Sequence, residues 1–169
     1  MKATMMEALD KIVTRSLRLF LNYINRNSWV GRENEAVSLF AFGFLQRECC
    51  VGGPLIDPTQ IGIEVGAADT SKSPKSQVRK DLVLWREPGA NRWHPRKPRS
   101  EPLAIMEWKV RRSDARQRPT SRADIDWLVR HCRRHRNTVG YAVLLDLTSH
   151  PAGLKAVRAD AKGSCELIV

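Results

Sequence analysis

Residues 103–110, Leu-Ala-Ile-Met-Glu-Trp-Lys-Val, join an apolar run to two charged side chains. The run Leu103–Met106 is typical of a buried β-strand, in which side chains two residues apart leave the same face. Glu107 and Lys109 therefore project from one face, and Trp108 projects from the other. Because buried charges are costly unless they are paired or bind an ion, the stretch predicts an ion site at the end of a core strand.

A second strand begins with an acid. Asp81 follows Val78-Arg79-Lys80 and precedes the apolar run Leu82–Trp85. Carboxylates on two core strands supply the oxygen ligands that Mg²⁺ prefers. Together with the lysine on the other strand, Asp81 favours a divalent metal site that activates water.

The composition predicts one soluble domain of the α/β class, spanning residues 1–169. Hydrophobic residues make up 42% of the chain, and no apolar run approaches the roughly 20 residues that cross a bilayer. The N-terminus shows no signal peptide pattern. Four cysteines without metal-ligand spacing favour a reducing, cytoplasmic location and no membrane partner.

The charge of the chain indicates a polyanionic partner. Lysine and arginine number 29 against 18 aspartates and glutamates, which gives a net charge of +11. A surplus of this size is typical of nucleic-acid-binding proteins, although a merely basic soluble surface is the alternative. Arginine dominates the cations, and its planar fork suits phosphate recognition.

Periodicity and breakers predict the order of elements along the chain. A second helix starting near Gly31 is apolar almost all round, so it should be buried on more than one side. The predicted elements are a helix over Met5–Asn25, a helix over Gly31–Leu45, strands over Gln60–Val65, Val78–Trp85 and Leu103–Val110, a basic hairpin tip over 88–99, a helix from Ser121, a strand over Val139–Leu145, a short helix over Pro151–Asp160 and a strand over Cys165–Val169.

This order and these motifs resemble the PD-(D/E)XK nuclease superfamily, which has the restriction-endonuclease-like fold. The resemblance implies an α-β-β-β-α-β core over 31–147, a central mixed sheet flanked by helices. Residues 1–27 would then be an N-terminal helical extension, and 148–169 a C-terminal helix and strand addition. The signature acid, acid and lysine fall on Asp81, Glu107 and Lys109, with Lys80 where the motif has proline.

The resemblance implies a metal-dependent endonuclease that hydrolyses DNA phosphodiester bonds. Asp81 and Glu107 would coordinate Mg²⁺ or Mn²⁺, with the backbone carbonyl of Trp108 as a further ligand. Lys109 would orient the attacking water or neutralise charge in the transition state. An ordinary ion pair between Asp81 and Lys109 is the alternative.

The family often adds a glutamate on its first core helix, and two residues compete for that role. Glu33 shares a helical stripe with Val37 and Phe40, whereas Glu35 shares a stripe that ends in a polar residue. We therefore favour Glu33, with Glu35 as the alternate. For either residue, stabilisation of the helix N-terminus is an equal alternative.

Basic residues outside these motifs are candidates for contacts with DNA, or with RNA or branched DNA. Trp93 would stack on an unpaired base. His131 and His135 have zinc-compatible spacing but lack a third ligand, which favours exposed or phosphate-binding histidines. The candidates are Arg92, Trp93, Arg96, Lys97, Arg99, Arg111, Arg112, Arg130, Arg133 and Arg134.

Two other functions fit the same pattern. One is a nucleic-acid-binding module on this fold that does not cleave. The other is a nuclease subunit that acts only as a homodimer or with a partner protein, since the apolar second helix offers an interface. Asp81, Glu107 and Lys109 together favour the enzyme, because a pure binder has no need for acids that face a phosphate.

Overall fold

A six-stranded mixed sheet carries helices against both faces, which confirms the predicted α/β class. In this computed structural model the described residues are 2–68, 77–89, 101–113 and 122–167. The predicted hairpin tip, with Arg92, Trp93, Arg96, Lys97 and Arg99, lies almost entirely outside these residues. So does Ser121, the predicted start of the third helix.

Helices and strands follow one another in the predicted order as far as the fourth strand. The described elements are α1 (Lys2–Arg26), α2 (Glu33–Gly43), β1 (Ile61–Ala68), β2 (Gln77–Trp85), β3 (Pro102–Arg111), α3 (Arg122–Arg134), β4 (Val139–Asp146), β5 (Gly153–Ala159) and β6 (Ser164–Leu167), with short 3₁₀ turns at Leu45–Glu48 and Pro58–Gln60. No helix among the described residues is long and apolar enough to cross a membrane.

The strands lie in the sheet in the order in which they occur along the chain. Every neighbouring pair is antiparallel except β3 and β4, which pair in parallel from Ala104–Val139 to Arg111–Asp146. A parallel pair needs a crossover connection, and α3 lies in that connection. The β3–β4 pair therefore brings the start of α3 to the same end of the sheet as Glu107 and Lys109.

The main core lies between the sheet and the two N-terminal helices. The stripe of α1 is buried at helical spacing, with Leu9, Val13, Leu17, Phe20 and Ile24 almost free of solvent. On β3 the even-numbered residues, Trp108 among them, join this core. The predicted alternation of β3 is thereby confirmed, since Ile105 packs on the opposite face with Leu128 of α3.

Close packing of α3 depends on a glycine in β4. A Cβ added at Gly140 would lie 2.9 Å from the Cβ atom of Leu128, closer than real contacts of this kind. The absent side chain lets α3 approach the sheet. This approach places the first turns of α3 beside the ends of β2 and β3.

The helix predicted over Pro151–Asp160 is wrong. Residues Gly153–Ala159 form β5, which pairs antiparallel with β4. Both faces of β5 are covered, Leu154 and Ala156 by the core beneath α1 and α2, and Val157 and Ala159 by the core beneath α3. A strand covered on both faces lacks a clear polar alternation, and its alanine and leucine residues favour helix by propensity.

The prediction that α2 is buried on more than one side is confirmed, since α2 packs on both α1 and the sheet, but one face of the helix stays exposed. Its buried residues are Ala36, Val37, Phe40 and Ala41, and Phe42 is 53% exposed. The helix also ends at Gly43, before the predicted Leu45. An apolar sequence does not determine how many neighbours pack on a helix, and α2 packs chiefly on α1 and the sheet.

Candidate functional site

The site lies where β2 and β3 separate. Their ladder runs from Leu82–Met106 towards Trp85–Pro102, whereas β3 continues to pair with β4 as far as Arg111. At the point of separation the Trp108 N–H donates to the Asp81 carboxylate, with 2.7 Å between N and Oδ2. The side chain of Asp81 thus satisfies a buried backbone donor at the fork of the two strands.

Lys109 contacts the carbonyl group of Trp108. Its ammonium donates to the Trp108 carbonyl oxygen at 2.7 Å and lies 3.4 Å from the Glu33 carboxylate on α2. The alternative of an Asp81–Lys109 ion pair is not what the structure shows, because Glu33 is the acid paired with Lys109.

The surroundings shift the pKa of both partners in the Lys109–Glu33 pair. Burial raises the pKa of Glu33, Lys109 opposes this shift, and Asp81 adds to it. Burial by itself would lower the pKa of Lys109, but the Glu33 and Asp81 carboxylates outweigh it and raise the pKa above its usual value. Lys109 therefore stays a cation between two acids.

The two candidate helix glutamates have different positions. Glu33 reaches Lys109, as described above, while the Glu35 carboxylate accepts the Arg32 N–H at 2.6 Å. That hydrogen bond satisfies a donor at the N-terminus of α2, as capping glutamates do. Of the two, the structure places Glu33 at the fork and Glu35 at the helix cap.

Glu107 is held by a partner that the sequence did not indicate. Its carboxylate forms an ion pair with the Lys80 ammonium, and both residues are buried. Burial raises the pKa of Glu107 to about 7, against the effect of Lys80, and Asp81 and Asp124 add to the rise. Alternation would place Lys80 on the Leu82 face, so side-chain periodicity along β2 did not predict this pair.

Asp81 lies within electrostatic reach of the other three predicted residues. Asp81 shifts the pKa of Glu33, Lys109 and Glu107 alike. Asp124, in the first turn of α3, acts on Glu107 and Lys109 and is a further acid that the sequence motif did not include. Acids from α2, β2 and α3 therefore act on Lys109, while the β3 acid Glu107 is paired with Lys80.

The acceptor atoms at the fork are carboxylate and carbonyl oxygens, the kind of ligand that Mg²⁺ prefers. Within the described residues no three His, Cys, Asp or Glu side chains are placed to hold an ion. Mg²⁺ is usually held by one or two carboxylates and several waters. Asp81, Glu107 and the Trp108 carbonyl carry hard oxygen atoms of that kind, and they already accept contacts from the Trp108 N–H, Lys80 and Lys109, respectively.

His131 is buried, which corrects the expectation of an exposed or phosphate-binding residue. Its ring stacks between Trp127, with centroids 4.9 Å apart, and His135, with centroids 4.4 Å apart. Burial, His135 and Lys80 lower the pKa of His131 to about 4. The spacing of the two histidines therefore serves a stack on one face of α3, and among the described residues neither joins a metal site.

We expect the His131→Phe variant to lose less stability at acidic pH than the unmodified protein does. The folded protein disfavours a charged His131, so stability falls as the pH drops from 6.5 towards 4, where the unfolded chain binds the extra proton. Phenylalanine keeps the stack without a titrating group. Between pH 6.5 and 4, the free energy of unfolding of the His131→Phe variant, measured in urea, should fall by roughly 2–3 kcal/mol less than that of the unmodified protein. An exposed control, His150→Gln, should follow the unmodified protein, and equal losses for all three proteins would contradict the assignment.

The basic candidates that the structure describes lie on α3 and at the end of β3. Arg130, Arg133 and Arg134 are exposed on α3. Arg111 lies 3.4 Å from Asp146 across the β3–β4 pair, and the Arg112 side chain is half-buried. A nucleic-acid surface on α3 stays a prediction. The four cysteines, which are not part of this surface, are free thiols.

Comparison with protein-family models, curated proteins and solved structures gave no match to this chain. The resemblance to the PD-(D/E)XK nucleases therefore depends on the motif residues and their order along the chain, and it stays a prediction.

Proposed function

We propose that this protein is a metal-dependent endonuclease with the restriction-endonuclease-like fold, acting on DNA. The observation that supports it most is the place of Asp81 where β2 and β3 separate, within electrostatic reach of Glu107 and of the Lys109–Glu33 pair. Acids and a lysine at the end of core strands form a common arrangement for hydrolysis of phosphodiesters. The net charge of +11 provides the attraction for the polyanion.

The residues at the fork have separate roles in this proposal. Asp81 and Glu107, with the Trp108 carbonyl, would hold Mg²⁺ or Mn²⁺. The bound ion would lower the pKa of a water and neutralise charge on the phosphate. Lys109 would donate a hydrogen bond that orients that water, or would neutralise charge on a phosphate oxygen, and Glu33 would hold the ammonium in position. The exposed arginines of α3 position the DNA backbone without reading its sequence.

Cleavage assays on plasmid, linear duplex and single-stranded DNA test the proposal. We expect cleavage with Mg²⁺ or Mn²⁺ and none with a chelator. Lys109→Met should lower the rate by about 10²-fold, because it removes one donor to the developing charge. Lys155→Met removes an exposed lysine of β5 and should leave the rate unchanged.

A nucleic-acid-binding module without cleavage is the second candidate. It is favoured by the fact that lysines already bind both Glu107 and the Trp108 carbonyl. In that case DNA binding would be the same with and without metal. Binding without cleavage in every metal, unchanged in Asp81→Ala, would establish the module and exclude the enzyme.

A further inference from the structure

Lys80 is a charged residue that the protein buries almost completely. It is 5% exposed, and its ammonium binds the Glu107 carboxylate. Lysines are rarely buried to this extent unless they are paired. The same ammonium lies 3.3 Å from the centre of the Trp127 ring, a cation–π contact in a largely desolvated setting.

Trp127 is itself fixed by a row of stacked rings along α3. His131 stacks on it, and His135 stacks on His131. At the end of the row the His135 ring lies 3.3 Å from the Glu101 carboxylate, just before β3. The row ties α3 to the start of β3, so the position of the Lys80 ammonium over Trp127 is set before any ligand arrives.

We propose that Lys80 is a positioning residue that provides the counter-charge of Glu107 in the metal-free site and gives up this contact when a divalent cation binds there. The proposal depends on the proposed metal-dependent function. Its physical basis is that one buried carboxylate neutralises one ammonium well, whereas an ammonium and a divalent cation at the same carboxylate repel each other.

Two consequences follow for the residues at the fork. Lys80 holds the Glu107 carboxylate in place while no metal is bound, which avoids an unpaired buried charge. Lys80 also weakens metal binding in the absence of DNA, because the ion must displace the ammonium from a prepared position. The lysine that stands in place of the family's proline thereby sets how tightly the site takes up its ion.

Titration calorimetry of the full chain with Mn²⁺ and without DNA tests this role, measured as the pH is raised well above 7 until affinity no longer changes, because removing Lys80 would raise the pKa of Glu107 further. Lys80→Met has a similar length and no charge, and we expect it to bind Mn²⁺ at least about tenfold more tightly. Lys80→Arg keeps the charge and should bind Mn²⁺ as the unmodified protein does. Lys80→Met combined with Glu107→Gln should lose the gain.

A second variant covers the case in which Lys80→Met fails to fold. Trp127→Leu removes the cation–π contact but keeps the ion pair, and it should tighten Mn²⁺ binding by a smaller factor. Unchanged or weaker binding in the folded Lys80→Met or Trp127→Leu variant overturns the proposal, as does equal tightening in Lys80→Arg.

The nuclease proposal fails by a different readout. If the unmodified protein cleaves DNA with Mg²⁺ while Lys80→Met leaves its metal affinity unchanged, the role of Lys80 is excluded and the enzyme is not. If Lys80→Met binds Mn²⁺ more tightly but no protein cleaves DNA, the exchange of counter-charges holds and the nuclease function is excluded.

Discussion

Replacing Asp81 by asparagine is expected to lower Mg²⁺-dependent DNA cleavage by about 10³-fold without unfolding the protein. The Asp81 carboxylate accepts the Trp108 N–H at 2.7 Å, and an asparagine side-chain oxygen accepts it equally well. The substitution therefore removes a negative charge and the proposed metal ligand while keeping an acceptor for the Trp108 N–H. Charge stabilisation by a metal is worth several kcal/mol, and each 1.36 kcal/mol changes a rate tenfold.

Initial cleavage rates on a linear duplex and urea unfolding curves, measured on the same preparations, check this result. Asp126→Asn is the matched control, because Asp126 is exposed on α3. Its rate and its stability should equal those of the unmodified protein. A rate for Asp81→Asn within a few-fold of the control would show that Asp81 is a structural residue only.

Truncating Trp108 to alanine is expected to lower the free energy of unfolding by about 3–5 kcal/mol. The side chain is fully buried, and its ring packs against Phe20 of α1 at 5.6 Å and Phe40 of α2 at 5.0 Å between centroids. The cavity would open between the sheet and both helices. Urea unfolding followed by circular dichroism measures the loss.

Trp108→Phe separates packing from polarity at this position. The indole N–H is buried, and within the described residues it has no hydrogen-bond partner. Phenylalanine removes this donor and fills most of the space, so the loss should be well below that of alanine. A loss under about 1 kcal/mol for Trp108→Ala would contradict the packing described for this core.

Elements with one polar face were among those that the sequence predicted correctly. The apolar stripe of α1 and the charged end of β3 are of this kind, and both were correctly predicted. The strand β5 was not, because helices cover both of its faces and its residues favour helix. The sequence also did not predict the exposed face of α2, because periodicity does not tell how many elements pack on a helix.

The site was predictable as far as local geometry determines it. Alternation along β3 gave Glu107 and Lys109 a common face, and the helical stripe gave Glu33 its position near the sheet. The partner of Glu107 was missed, because alternation along β2 assigns Lys80 to the Leu82 face. The stack of Trp127, His131 and His135 was missed because it depends on where α3 crosses the sheet.

The hydrogen bond between Asp81 and the Trp108 N–H has a consequence for the sheet itself. In an antiparallel ladder that continued past Leu82 and Met106, the backbone of β2 would compete for this same donor. The Trp108 N–H can therefore either extend the β2–β3 ladder or bind Asp81 at the fork, but it cannot do both. A side chain at position 81 without an acceptor would leave that donor available to β2, and the two strands would then pair across the space that the acids surround.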